Sequence, residues 1–358
     1  MGVYTAINDP SQYFQTALYT GNGSNGHAIT FNGNSNLQPD WLWGKERSQG
    51  GNNNSFDTNR GLDKRLTQDQ VDAENTDATT VTAMNTDGFT LGSSNNINEN
   101  GVTTVAWCWK ANGGTTSSLG VGSITSTVQA NTTAGFSIIS YTGNGVNGAT
   151  IGHGLGVVPK AIFVKDRSTN ESWQVFHGAR TNPEQKYIEL DNNGTGGTEA
   201  SRWSNTAPTT AIINLGSGNS VNRSSSNYIA YCFAEKQGYS HFGQYKGNNN
   251  SDGPFIYTGF KPAWVMIKRV DSTGNWYIYD TERNGASGPN TNQAHKILYA
   301  NDSSGEVVNT DRGIDMIAHG FKIRNTLGDV NADDGTYLTF AFASSPFVSS
   351  AGVPTTAR

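Results

Sequence analysis

Charge is scarce in this chain: only 15% of its 358 residues are Asp, Glu, Lys or Arg. Surface helices are built largely from Lys, Glu and Leu. Their scarcity, beside 43 Gly and 40 Asn, excludes a mainly helical fold and points to strands joined by turns. Lys/Arg runs are absent and the net charge of −5 is spread along the chain, which argues against a nucleic-acid or membrane-surface partner. No stretch approaches 18 consecutive apolar residues, so no membrane insertion is expected. The start, MGVYTAINDPSQYF, has neither a basic segment nor a long apolar one, so no secretory signal is expected and the chain should fold in a cytoplasm. The two cysteines, Cys108 and Cys232, give neither a metal spacing nor a disulfide framework. Six histidines (His27, His153, His177, His241, His295, His319) stand singly, so neither a metal site nor a cofactor is expected. Aromatic residues abound: 8 Trp, 14 Tyr and 15 Phe can fill cores and are too many for a disordered chain.

One phrase recurs. YTGNGSNG begins at Tyr19, YTGNGVNG at Tyr141 and the looser YKGNNNSDG at Tyr245. Aligned on it, three copies of a unit fall into register. Pro39 precedes DWLWGK, Pro159 precedes KAIFVK and Pro262 precedes AWVMIK. Seventeen residues beyond each proline stands an aromatic (Phe56, Phe176, Tyr279), and four beyond that an arginine (Arg60, Arg180, Arg283). Each copy closes on a small-and-aromatic strand: AWCWKA from Ala106, AYCFAE from Ala230, TFAFAS from Thr339. The third copy is longer between its arginine and this strand, as loops allow.

Lys160–Lys165 and Ala263–Lys268 read as buried strands, hairpin-paired to Ser172–Phe176 and Trp276–Tyr279. In the closing strand Ala106, Cys108 and Lys110 face one way, and Trp107 and Trp109 the other. The cysteines hold the same strand position in two units, so they should be free buried thiols in two separate cores. The nearest approach to a helical period is Leu62–Glu74. The expected fold class is all-β: three tandem antiparallel β-sandwich repeats of a jelly-roll or lectin-like kind. Residues 1–111 form a leader plus the first repeat, 112–134 an uncharged linker or edge strand, 135–236 the second repeat, 237–346 the third, and 347–358 a C-terminal tail ordered only by a neighbour. Only Lys236–Gly238 join the second and third units, which should therefore stack as a rigid pair. The glycines and asparagines of the recurring phrase should supply positive-φ turn positions.

Four stretches carry a family resemblance: INDPSQYFQTALYTGNG, TIGHGLGVVPKAIFVKDR, NYIAYCFAE and GFKIRNTLGD…GTYLTFAFASSPF. With them the chain resembles, over nearly its whole length, a repeated β-domain of unknown function common in structural and tail-fibre proteins of marine bacteriophages. The resemblance implies a virion protein and brings no catalytic residues. Arg60, in FDTNRG, fits the family's aromatic-Asp-x-x-Arg-Gly pattern; Arg180, in FHGAR, departs from it because His177 stands where the other copies have Asp57 and Asp280.

The recurring arginines are read as loop clamps or ion pairs within their units, against a bidentate carboxylate-binding role. DVNADDG, from Asp329, alternates acidic and amide residues like a calcium loop, but its glycine falls one place late and Phe340 replaces the bidentate glutamate. A hairpin turn is the better reading there. A polysaccharide depolymerase would need two carboxylates about a sugar; Glu184, Glu189, Asp191 and Glu199 are available without a distinctive spacing. Trp173, Trp203 and Trp276 lie near loops and are the candidates for stacking on a glycan, with core packing as the competing reading. The expected function is a non-enzymatic bacteriophage virion protein, assembled in the host cytoplasm as a tail or capsid fibre, spike or appendage. Its expected partners are other virion proteins, further copies of itself (as in a trimer) and a host-surface polysaccharide bound through avidity. Residues 1–16 or the C-terminal tail would dock it. Alternatives are a purely structural capsid-decoration or tail accessory protein and, second, the depolymerase.

Overall fold

The computed structural model of the chain describes residues 5–284 and 292–354. Among these residues it is built of antiparallel sheets with only short helical turns. Each unit contributes one large sheet in the same spatial order: opening strand, closing strand, central strand, hairpin strand, outer strand. The opening strands are Phe14–Thr20, Phe136–Thr142 and Ser240–Lys246. The closing strands are Thr103–Trp109, Asn227–Phe233 and Thr336–Pro346. Between the closing strand and the hairpin strand lie Trp41–Glu46, Ala161–Asp166 and Phe260–Arg269, buried because they are paired on both edges and covered on both faces. Their hairpin partners are Asn54–Asp57, Gln174–His177 and Trp276–Asp280.

One face of each large sheet packs on a smaller sheet of its own unit. These are His27–Ile29 with Gly88–Leu91 and Val81–Asn85; Ala149–Gly152 with Ile212–Leu215; and Phe255–Tyr257 with Gly320–Ile323, Ile314–Ile317 and Gln293–Ala294. Each sandwich encloses its own core. Cys108 and Ala106 lie in the first and Cys232 and Ala230 in the second, and both cysteines are free and buried, as their repeat positions require.

The other faces of the three large sheets meet in a single shared core. Trp41, Trp43, Trp107 and Trp109 come from the first unit, Phe136, Phe163, Tyr231 and Phe233 from the second, and Trp264, Phe340 and Phe342 from the third. Trp41 stacks on Tyr231 at 4.2 Å between ring centroids, and Trp109 meets Trp264 edge-on at 5.9 Å. A void of about 10 Å³ lies among these rings. At about 25 cal/mol per Å² and 150–250 Å² per ring, each buried aromatic brings an upper bound of roughly 4–6 kcal/mol. This shared apolar surface outweighs any polar contact at the seams. The units are therefore not strung in a row: each touches both others, so the stacked pair expected of the second and third units is one side of a closed ring.

One further expectation is corrected. Leu62–Glu74 is not helical; Gly61–Thr67 is an outer strand paired with Asn54–Asp57, because ladder bonds along the open hairpin edge override the helix propensity of Leu, Lys and Arg. The uncharged stretch 112–134, expected as a linker or edge strand, does add to the edge: it contributes two strands, Ser117–Leu119 and Ser126–Asn131, to the second unit's large sheet. Of the tail, residues 347–354 fold back on the chain: Asn8 exchanges hydrogen bonds with Ser350, 2.7 Å from its side-chain amide and 2.8 Å to its carbonyl-type oxygen.

Candidate functional site

The recurring phrase is a backbone clamp. The hydroxyls of Tyr19, Tyr141 and Tyr245 donate to the carbonyls of Ile97, Val221 and Val330, at 2.8, 2.7 and 2.5 Å. One residue past each of these carbonyls stands a buried asparagine: Asn98, Asn222 and Asn331. Its Oδ1 accepts the amide of Asn22, Asn144 or Asn248 at 2.9–3.0 Å. Its Nδ2 donates to carbonyls on both sides, as Asn222 does to Val146 and Gly216. Gly23, Gly145 and Asn249 have the positive φ expected of the turn, at 66°, 72° and 46°. The first glycine has another reason: a Cβ on Gly21, Gly143 or Gly247 would lie 2.2–2.3 Å from the carbonyl oxygen of Glu99, Arg223 or Ala332. The asparagine was missed in the sequence, although it stands nine residues ahead of Trp107, Tyr231 and Phe340 in every copy.

Pro39, Pro159 and Pro262 are buried two residues before Trp41, Ala161 and Trp264. Six residues past each proline the central strand carries a buried lysine: Lys45, Lys165, Lys268. Lys45 donates to the carbonyl of Gly51. Lys165 reaches Val71 of the first unit at 3.0 Å, and Lys268 reaches Asn193 of the second at 3.0 Å. Burial pulls all three ammonium groups down to about 8, although nearby carboxylates such as Asp69, Asp166 and Asp329 respectively oppose the shift.

The recurring arginines lie at the seams between units. In the first unit Arg60 pairs with Asp57 at 2.5 Å and with Glu74 at 3.0 Å; the second unit's Arg167 grips the same Glu74 at 2.8 Å. Tyr231, also of the second unit, donates to Asp57 at 2.6 Å. Burial works against the Arg60 charge, but Asp57, Tyr231 and Glu74 together raise its pKa above the ordinary value. The seam between the first and third units repeats the set. Arg283 pairs with Asp280 and Glu306, Arg47 grips Glu306 at 2.9 Å, and the Trp107 indole donates to Asp280 at 2.9 Å.

The third seam keeps the arginine and changes its partners. His177 replaces the aspartate, and its ring meets Phe340, which has no donor to offer, edge-on at 4.7 Å. His177 Nε2 instead lies 3.2 Å from the carbonyl oxygen of Thr339. Val270, packed on the shared core, occupies the position of Arg47 and Arg167. Arg180 donates to the carbonyl of Tyr187, and burial pulls it down to about 10. Burial likewise lowers His177 to about 4.

The three tryptophans assigned to glycan stacking are placed inside the fold, so that assignment is corrected. Trp173 and Trp276 are fully buried and reach across seams, their indoles donating to the carbonyls of Thr67 at 2.7 Å and Glu189 at 3.0 Å. Trp203 is buried in the second unit's own core, edge-on to Phe176 at 5.8 Å. No ring face is left for a sugar. In the Asp329–Gly335 loop, Asp329 accepts from Tyr277 at 2.8 Å, Asn331 is the clamp residue, and Asp334 pairs with Lys246. The candidate calcium ligands therefore diverge, and among the described residues no three His, Cys, Asp or Glu side chains gather as a metal site. Of the depolymerase carboxylates, Asp191 accepts the Trp173 amide at 2.6 Å and burial pushes it up to about 6, while Glu189 is held by Asn192 and Gln174.

One open cleft, of about 520 Å³, carries polar and aromatic side chains together. It is lined by Glu235, Gln237, Ser240 and His241 of the connector and opening strand, by Tyr257–Gly259, and by Phe347 and Val348. Burial pushes Glu235 up, but His241 Nδ1, 3.1 Å away, and the amide of Phe242, 3.0 Å away, hold it below the usual carboxylate value.

A family model described as "Domain of unknown function (DUF7483)" matches residues 9–346, the span over which these clamps and seams extend. The chain belongs to the DUF7483 family. No curated protein and no solved structure matches it. Within this DUF7483 chain the seam contacts at Asp57, Glu74, Asp280 and Glu306 account for the aromatic-Asp-x-x-Arg spacing as an inter-unit lock.

Proposed function

We propose that this chain is a non-enzymatic bacteriophage virion protein: the rigid body of a fibre, spike or appendage on tail or capsid. It is assembled in the host cytoplasm with other virion proteins and further copies of itself, and it attaches the particle to host-surface glycan. The observation that carries this reading is the use made of the recurring polar residues. Lysine, arginine, aspartate and asparagine at repeat-equivalent positions are spent on locking three sandwiches into one body, which suits a load-bearing scaffold better than a reaction centre. The likeness of INDPSQYFQTALYTGNG and the other quoted stretches to phage structural proteins adds the virion. Gold-labelled antibody on intact particles tests it: labelled particles are expected, and particles that never label would contradict it.

A purely structural decoration protein is the second reading, favoured by the inward direction of every recurring charged pair. Saturable binding of purified protein to host cells separates the two, since only the attachment protein binds.

A further inference from the structure

The third unit departs from the other two on the outer face of its small sheet. Ile256, Ile29 and Ile151 hold the same place, pairing with Phe321, Phe89 and Ile213. The outward positions on either side of Ile29 are Ala28 and Thr30, and beside Ile151 they are Thr150 and Gly152. Beside Ile256 they are Phe255 and Tyr257, large aromatics that stay 43% and 59% exposed. His319 lies between these rings and the tail, 5.0 Å from Phe255, 6.2 Å from Tyr257 and 5.3 Å from Phe347. The patch borders the 520 Å³ cleft, which falls in the size range of small-ligand sites.

We infer that this cleft is a saccharide-binding subsite for a neutral glycan, with Tyr257 as the stacking platform and Glu235 and Gln237 as the hydroxyl-binding groups. An exposed ring face matches the apolar face of a pyranose, and a carboxylate and an amide side by side accept from and donate to neighbouring hydroxyls. The Glu235 carboxylate in the wall accepts from hydroxyl donors, and because it already holds the His241 ring at 3.1 Å that imidazole is not open to an acidic sugar. The floor is pre-formed. The amides of Thr258 and Gly259 donate to the carbonyl of His319 at 3.0 and 3.3 Å, and the amide of Phe347 donates to Gly259 at 3.2 Å. Thr258 Oγ1 is held by the carbonyl of Phe260 at 2.7 Å. Little ordering remains to be done on binding.

This inference deepens the attachment reading and rests on it for its biological sense, but its test uses isolated protein. Saturation-transfer NMR and calorimetric titration would be run with maltotriose, triacetylchitotriose, a β-galactotriose and, as the acidic comparison, trigalacturonate. At least one neutral trisaccharide should bind. Tyr257→Thr, which installs the residue found at the equivalent position of the first unit, should weaken it at least about tenfold with an unchanged thermal midpoint. Failure of all three neutral sugars, a preference for trigalacturonate, or binding untouched by Tyr257→Thr would overturn the inference. Particles that label with gold beside a protein that binds no sugar would sink the subsite alone; sugar binding beside unlabelled particles would sink the virion reading alone.

Discussion

At the scale of single residues, three buried lysines set the alkaline response of the fold. Lys45, Lys165 and Lys268 titrate near 8 when folded, below the ordinary lysine value of about 10.4. Between those two values the unfolded lysines bind more protons than the folded ones, so these amines push stability up with pH from about 8 to about 10, while the buried thiols of Cys108 and Cys232, raised by burial, push it down from about 8.5 as their unfolded counterparts ionise. Above that, the many tyrosines whose pKa burial raises, Tyr141 and Tyr231 among them, reverse the trend as their unfolded counterparts ionise. In a Cys108→Ala/Cys232→Ala background, which removes the opposing thiols, urea titrations should give an unfolding free energy higher at pH 9.5 than at pH 8 by at least about 1 kcal/mol; a fall would refute the burial of these amines. His177 governs part of the acid side. Its folded pKa of about 4 lies below the unfolded value, so its contribution is complete above about 6.5 and is lost as pH falls towards 4.

His177 also tests the seam logic. Asp57 and Asp280 each receive a donor from the neighbouring unit's closing strand, and Phe340 offers His177 none. His177→Asp and Phe340→Tyr should each destabilise alone. Together they rebuild the contact seen between Asp57 and Tyr231, so a double-mutant cycle should return a favourable coupling of about 1–2 kcal/mol. Additive effects would remove the claim that the two positions are matched.

At the scale of elements, the turn between the opening strand and the small sheet is fixed by contact as much as by φ. Gly143→Ala drives a Cβ to within 2.3 Å of the Arg223 carbonyl oxygen, whereas a Cβ on Gly114 meets nothing within 4 Å and suffers only its φ of +80°. Denaturant melts should show Gly143→Ala costing more than about 2 kcal/mol and Gly114→Ala about 1 kcal/mol. Asn222→Ala strands the buried carbonyl of Gly216, the partly buried one of Val146 and one amide, and should cost about 1–3 kcal/mol by the same measurement.

These turns show what was legible in the sequence. The Pro–aromatic–arginine spacing and the two-residue alternation of AWCWKA located strands, hairpins and even the two faces of the closing strand, because side-chain direction in a strand follows from parity alone. Which partner each face meets does not follow from parity. The Trp107 face could equally have met a second sheet of its own unit. Its true neighbours, Trp43 and Trp264, belong to different strands and different units. For the same reason Trp173 and Trp276 read as loop residues available to ligand when they are seam anchors. The exposed aromatics Phe255 and Tyr257 are legible as the place where one copy departs from the other two, which carry Ala28 and Thr30 or Thr150 and Gly152 there.

At the scale of the whole molecule, three sandwiches share one core, and each seam joins a hairpin of one unit to the loop after the outer strand of the next. Backbone bonds repeat around the ring: Gly51 to Ser303, Glu171 to Val71, Gly274 to Asn193, at 2.8–3.0 Å. A chain cut after residue 236 loses Trp264, Phe340 and Phe342 from that core and leaves the rings of Trp109 and Phe233 facing water. Deleting the third unit is consequently no clean test of receptor binding, since it also strips one side of the core that the remaining two units share with it. It is the most direct test of closure itself. Differential scanning calorimetry of the full chain, compared with fragment 1–236, should give one cooperative transition for the full chain and none for the fragment, which should bind a hydrophobic dye. A fragment that melts sharply, at a midpoint near that of the full chain, would contradict the single closed body on which the account stands.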